Sequence, residues 1–544
     1  MLPSFGIPCQ EGFFPGRMSA LMEKLAGKTQ SLSKTNKKKL KILFVAAEAA
    51  PYASVGGLGQ VIYFLSRALR KMGHDARVMI PKYAHIDENF YQTEIVKSGL
   101  QVWPGGGEGP IICNIKLHRP VSKFDAPVYF LENMEYYEKR ANVYGYIDDH
   151  VRFAVFSKGV VNFLKESDWV PDVINCADWQ TGHVPNYLRT ICESDPKLSK
   201  IATVFSIHNL HFQGMFDHRF VSELEYDDGK SSIAPFLAEK SEPLRTQNFM
   251  KRGVLYADIV NTVSENHARE ILTPEYGEKL ELLLREVRTK IYGVLNGLDY
   301  KEFNPASDKI IYANYSARGL DARLKNKQAL QREFNLPENP DAAVVGMVGR
   351  LDEQKGFDIL IPILYSILSE YEIQFVIVGG GDGRYHSSLI DLQKKFPKKL
   401  ATHLMPNFTL PRHVFAGADM FLVPSKFEPF GITAIEAMRY GSVPIVRRTG
   451  GLADTVENYD PKMEAGNGFV FNNYDHLSLY GAIVRALEVY KNPKAWRGIM
   501  KRAMKTDFSW DSSAKRYEEL YEKACALAKK RSFAKVHKAH QPAF

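Results

Sequence analysis

The sequence predicts a doubly wound α/β fold, arranged as two Rossmann-like domains facing each other across a cleft. Three observations carry this reading. Short, continuous apolar runs with β-branched centres recur along the chain, as strands buried on both faces require. Each run ends in glycine or polar residues and is followed by helical periodicity, the alternation of a parallel sheet. The series occurs twice within 544 residues, a length too great for one core.

In chain order, residues 1–39 read as a flexible basic leader with one short helix near 18–26. Order begins at LKILFVAAEA (40–49), a buried strand, followed by the glycine-rich turn SVGGLG (54–59). QVIYFLSRALRKMG (60–73) is a helix closed by a glycine, and ARVMIPKY (76–83) is the next strand. VINCADW, ATVFSIHN, DIVNTVS and IYGVLNG continue the series to about residue 297, and LDYKEFNPASD (298–308) is an irregular connection. A second series runs from AVVGMVGRLDEQKG (343–356) through QFVIVGGGDG, MFLVPSKFEPFG and VPIVRRTGG (443–451). The expected domains are therefore 40–297 and 298–509. A C-terminal helix over 510–530, capped by Asp511 or Ser512, and a basic tail, 531–544, follow.

The composition is that of an ordinary globular chain, 45% hydrophobic and 24% charged. No apolar run reaches the ~18 residues of a membrane span, and the N-terminus lacks a secretory pattern. Five cysteines, odd in number and widely spaced, argue against a disulfide framework or a zinc site and suit a reducing, cytoplasmic setting. The net charge of +9 suggests a polyanion partner at first sight. However, +6 of it falls in residues 1–41 and +5 in 529–544, leaving the rest at −2. Solvated tails account for that distribution better than a nucleic-acid surface.

In open α/β sheets ligands bind at the carboxyl ends of strands, so the polar strand endings are the candidate chemistry. Arg350 and Lys355 follow one strand and could neutralise a leaving diphosphate. The turn Thr449-Gly450-Gly451 precedes a helix, an arrangement that suits phosphate. Glu428 sits on a loop and Glu436 in the helix after it, where carboxylates could accept sugar hydroxyls. GGGDG (379–383) lacks the full dinucleotide fingerprint. In the first half, His208-Asn209 and Asp178-Trp179 end strands, and Gly56-Gly57 let backbone approach a ligand. Taken singly, each of these features also suits a purely structural role.

Together they form a pattern. KILFVAAEAAPYASVGGLGQV, DWQTGHVP, FSIHNLHFQGMF, NTVSENHAREI, LTPEYGEKLELLL, GVLNGLDYKEFNP, GMVGRLDEQKGFDIL and SKFEPFGITAIEAMRYGSVPIVRRTGGLADTV resemble the bacterial and plant-type glycogen and starch synthases, in order from about residue 40 to 525. The resemblance implies the GT-B architecture, with a C-terminal helix crossing back to the first domain. It implies retaining transfer of glucose from a nucleotide-glucose, ADP-glucose favoured over UDP-glucose, to an α-1,4-glucan, without a metal or other cofactor. Arg350 and Lys355 would hold the diphosphate, and Thr449, Gly450 and Gly451 would bind phosphate through backbone. Glu428 would contact the donor glucose, Glu436 the ribose, and His208 the glucose 6-hydroxyl or backbone near the reacting centre. Asp178, Tyr144 and Asn296 fall in motifs that line the cleft.

The sequence departs from the family pattern at two places. Ser54 occupies the position of a lysine in K-x-G-G-L, with Lys82 as a nearby candidate to compensate. Ala177 precedes Asp178 where the family often has His or Asn. The departures keep two alternatives open: a related retaining transferase with another acceptor, and a non-catalytic glucan-binding paralogue.

Overall fold

The computed structural model describes residues 38–103, 109–217 and 246–539; the expected helix near 18–26 and the last five residues lie outside them. Nine strands form the first sheet: β1 (Lys41–Val45), β2 (Asp75–Pro81), β3 (Glu94–Val102), β4 (Ile111–His118), β5 (Val128–Glu132), β6 (Val173–Ala177), β7 (Ala202–Ile207), and, after the short hairpin β8 (Met215–Asp217) and β9 (Thr246–Asn248), β10 (Ile259–Thr262) and β11 (Ile291–Gly293). Their order is β11-β10-β7-β6-β1-β2-β5-β4-β3. Only the β5-β4-β3 edge is antiparallel. The strands that read as unbroken apolar runs are the central ones, and every residue of β6 and β7 is buried.

The second sheet is wholly parallel: β12 (Ala343–Val348), β13 (Ile373–Val378), β14 (Leu400–His403), β15 (Met420–Val423), β16 (Val443–Arg447) and β17 (Phe469–Phe471), in the order β14-β13-β12-β15-β16-β17. The chain reverses its direction of travel between β12 and β15, and in the first sheet between β1 and β6. Those two switch points are where a doubly wound sheet opens a crevice at its strand ends.

Each sheet has its own core. The first includes residues of the C-terminal helix Trp510–Ala539: Trp510, Ala514, Tyr517, Tyr521 and Ala524 are buried among first-sheet residues. A polar ladder fixes that docking. Asn175 Nδ2 donates to Ser206 Oγ at 3.0 Å, and Ser206 Oγ to Asn261 Oδ1 at 2.6 Å, across β6, β7 and β10. The same asparagines donate to Tyr521 (3.2 Å) and Tyr517 (3.3 Å) of the helix. Buried polar groups that are satisfied only in one register specify that register. At the start of the helix Ser509 Oγ accepts the Ser512 N–H at 3.3 Å. Ser509 is thus the capping side chain, not Asp511 or Ser512, because the first turn begins one residue earlier than the polar cluster suggests.

The two domains are joined by a double crossover. Leu298 N–H donates to Phe508 C=O at 2.7 Å, and Ser513 Oγ to Leu295 C=O at 2.5 Å.

Close backbone packing makes one glycine sensitive. A Cβ on Gly182 would lie 1.9 Å from the Phe249 carbonyl oxygen. Gly182→Ala is expected to destabilise the fold by about 3 kcal/mol through overpacking. Gly481→Ala, in helix His476–Tyr490 with open space around it, is expected to stabilise by up to about 1 kcal/mol through helix propensity. Unfolding midpoints of the two variants, moving in opposite directions, check the pair.

Candidate functional site

On the first sheet, the switch point gathers Glu48, Gly56, Tyr144, Asp178, His208 and Asn209. Glu48 lies three residues beyond the end of β1 and is buried. Its Oε2 accepts the N–H groups of Val55 (2.6 Å) and Gly56 (3.2 Å), and its Oε1 accepts the Tyr144 hydroxyl at 2.9 Å. The carboxylate therefore holds the glycine turn that starts helix Gly57–Lys71 and ties it to Tyr144. Burial, then the charge of Glu48, pushes the Tyr144 hydroxyl well up, so it stays protonated and donating. Gly57 has open space around it.

Asp178, at the end of β6, has φ 55° and ψ −177°, a conformation that a non-glycine residue holds at a cost of about 1–3 kcal/mol. Its carboxylate accepts the backbone N–H of His208 at 2.8 Å and of Asn209 at 3.3 Å. Burial raises its pKa to about 7, against those two hydrogen bonds, which lower it. Burial also pushes His208 down to about 4, so the imidazole is neutral. Asn209 is exposed. Asn296 stands apart on the crossover segment, buried, with an Oδ1 that has no partner among the described residues.

On the second sheet, Lys355 ends the short turn Glu353–Lys355, which Asp352 caps by accepting the Lys355 N–H at 3.0 Å. Lys355 Nζ lies 2.5 Å from Glu428 Oε2, which also accepts the Ser425 hydroxyl at 3.0 Å. Glu428 Oε1 has no partner among the described residues and is available to a hydroxyl. Arg350 extends outward, its side chain 68% exposed, held by Gln354 (2.8 Å) and Asp352 (3.1 Å). Its hydrogen bonds and ion pair among the described residues do not include Lys355 or Glu428. Glu436 lies in helix Ile432–Arg439, its carboxyl without a hydrogen-bond partner among the described residues, and burial pushes that carboxyl up to about 8.

Two sequence expectations need correction. The backbone of Thr449, Gly450 and Gly451 is not open to phosphate, because every N–H there is engaged. Thr449 donates to Arg447 C=O, Gly450 to Glu270 (2.9 and 3.0 Å), and Gly451 to the carbonyls of Glu428 and Pro429. The turn is glycine-rich because other backbone packs against it. The open N–H groups belong instead to the next helix start along the same sheet: Ile432 and Thr433, following Gly431, have no partner among the described residues. Lys82 does not replace the lysine missing at Ser54. It is buried between Glu88 (3.2 Å) and Glu138 (3.5 Å), with Lys116 completing the ionic cluster.

The domains meet over a cavity of about 350 Å³ whose walls include Asn209, His211 and His267 on one side and Gln354, Lys426 and Pro429 on the other. Glu48 and Glu270 are the residues that sequence reasoning missed. For Glu48 a signal existed: a lone acid in the otherwise apolar run ILFVAAEAA (42–50).

Residues 41–286 match the starch synthase catalytic domain family, and residues 329–502 the glycosyl transferases group 1 family. The chain is 41% identical over 495 residues to a glycogen synthase of Desulforudis audaxviator, covering 89% of this chain and 96% of that one. It is 40% identical over 496 residues to a glycogen synthase of Moorella thermoacetica, covering 91% and 98%. Among solved structures it is similar to the catalytic domain of starch synthase IV from Arabidopsis thaliana bound to ADP and acarbose. That similarity has a TM-score of 0.78 and 30% identity, over 90% of this chain and all of that one. A sucrose-phosphate synthase from Thermosynechococcus elongatus, at 17% identity and TM-score 0.53, shares the fold.

Proposed function

The chain belongs to the glycogen and starch synthase family and is a glucosyltransferase that extends a glucan; on that premise we propose that it takes glucose from ADP-glucose and adds it, with retention, to the 4-hydroxyl at the end of an α-1,4-glucan. The observation that carries this is the Lys355–Glu428 pair at the second switch point. Glu428 Oε1 is free for a donor-glucose hydroxyl. Lys355 Nζ, with Arg350 swinging in from the rim, meets the charge that grows on the diphosphate as the anomeric C–O bond breaks. The uncapped N–H groups of Ile432 and Thr433 face the same charge, and Glu436 awaits the ribose. Across the cleft, Tyr144, neutral His208 and Asn209 receive the sugars. The acceptor oxygen bonds to the anomeric carbon from the face the diphosphate leaves, and its proton passes to the departing phosphate oxygen. No strong protein acid is required, because a nucleoside diphosphate is already a good leaving group.

The ADP preference draws on the family pattern and on the ADP described for the Arabidopsis neighbour. A reducing, cytoplasmic setting suits the four described cysteines, among which there is no disulfide. No helix among the described residues is long and apolar enough to cross a membrane.

Incubation of purified protein with glycogen and labelled ADP-glucose or UDP-glucose is the test. Incorporation from ADP-glucose is expected. Incorporation from UDP-glucose alone would reverse the nucleobase assignment, and none from either donor would remove the catalytic reading in favour of a glucan-binding paralogue. Ser54→Lys should restore a cation to the first-sheet turn, and is expected to raise kcat/KM for the donor about tenfold, the effect of about 1.4 kcal/mol. An unchanged value would show that the Glu48-held turn suffices without it.

A further inference from the structure

We propose that Glu270 is a positioning residue through which the first domain sets the placement of the Lys355–Glu428 pair; the inference rests on the reading of that pair as the donor site. Glu270 closes helix Glu265–Glu270 of the first domain. Its carboxylate reaches the second domain, where it accepts the Gly450 N–H through both oxygens, at 3.0 and 2.9 Å, and the Thr449 hydroxyl at 3.4 Å. Asn266 Nδ2 orients it from within its own helix at 2.8 Å. In the opposite direction, Asp454 of the second domain accepts the Asn266 N–H at 2.8 Å. Two short helices thus satisfy each other's N-terminal groups across the domain boundary.

The turn that Glu270 grips is the floor under Glu428. Gly450 has φ +44°, and a Cβ there would lie 1.9 Å from the Glu428 carbonyl oxygen. Gly451 N–H donates to that carbonyl at 3.1 Å. Thr449 and both glycines are buried, so the turn has no room to move without moving the Glu428 loop. A contiguous path therefore runs from the Glu270 carboxylate through the Gly450 N–H and the Glu428 main chain to the carboxylate that meets Lys355. Contacts of this kind transmit position through packed groups with little slack. Domain rearrangement around a donor would be felt at Glu428 through this path.

The experiment is steady-state kinetics of the full chain with its nucleotide-glucose donor and glycogen, alongside thermal unfolding. Glu270→Ala is expected to lower kcat about 10- to 100-fold, the cost of small misplacement, with KM for glycogen little changed. Glu270→Gln keeps an oxygen for the Gly450 N–H and is expected to recover most of that loss. Asn266→Ala, which only loosens Glu270, should lower kcat in the same direction by less. An unchanged kcat in Glu270→Ala overturns the proposal, as does a loss that Glu270→Gln fails to recover. Should Glu270→Ala not fold, Asn266→Ala decides, and an unchanged kcat there overturns it. Lys355→Ala, run in parallel, separates the two readings. If it keeps full turnover the donor-site reading fails; if it loses turnover while Glu270→Ala does not, only the positioning role fails.

Discussion

Lys355→Ala is expected to lower kcat about 100- to 1,000-fold, the range found when one preorganised charge-stabilising group is removed from a site, while glucan affinity stays nearly constant. The argument begins with the local sequence. Asp352 caps the turn Glu353–Lys355, so the lysine backbone is fixed before any ligand arrives. Its ammonium lies against Glu428, both side chains being mostly buried, 22% and 12% exposed. A buried pair of this kind adds little net stability, yet removal of one partner strands the other. On the proposed reading the alanine variant loses the charge that would meet the leaving diphosphate, and it leaves Glu428 without its ion pair. Lys355→Arg keeps the charge, but replaces a point charge with a planar fork, so it should recover only part of the rate. Separate determination of kcat, donor KM and glycogen KM checks this. A variant whose only defect is a raised glycogen KM would move Lys355 to the acceptor side.

The fold was legible because parallel strands buried on both faces are predominantly apolar and β-branched, and KILFV, ATVFSI and IQFVIV show that locally. The candidate site is read for a related reason: a doubly wound sheet delivers its strand ends to one crevice, so Asp178, His208, Arg350 and Glu428 are chosen by position, though Arg350 itself extends outward from that crevice. What stayed hidden was the partner of each group. Gly450-Gly451 reads the same whether a phosphate or a backbone carbonyl approaches it, since both require a missing Cβ. Only the arrival of Glu270, 180 residues away in sequence, tells them apart. Lys82 follows β2, the strand next to β1 in the sheet, and so reads as a neighbour of the turn that lacks a lysine. Its burial beside Glu88 and Glu138 is set by strand pairing between β2, β4 and β5, which the local sequence does not encode. Glu48 was passed over because it lies within an alanine-rich run that looks like strand, whereas its role is to hold a turn seven residues on.

The strained Asp178 leads to the second large effect. Asp178→Ala is expected to reduce turnover about 100-fold, since the His208 and Asn209 N–H groups lose the acceptor that fixes them and a shift of about 1 Å is enough for such a loss. Asp178→Asn retains one carbonyl oxygen and should lose much less. The same pair also predicts how stability responds to pH. Asp178 is raised from 3.8 to about 7 in the fold. The folded state then holds a proton that the unfolded chain releases, so this residue subtracts stability as pH climbs from about 4 to 7. His208 is lowered from 6.5 to about 4. Here the unfolded chain holds the extra proton, so stability is gained between about pH 4 and 6.5. The two slopes oppose each other over the same window and largely cancel in the wild-type chain. Asp178→Asn removes the falling one and leaves the rising one. Its unfolding midpoint should therefore climb more steeply between pH 4.5 and 6.5 than that of the wild type, by up to about 1.4 kcal/mol per pH unit, whereas His208→Phe should show the reverse. Parallel pH profiles for wild type and Asp178→Asn would mean that the Asp178 carboxyl is already ionised throughout that window, with its two backbone hydrogen bonds outweighing its burial.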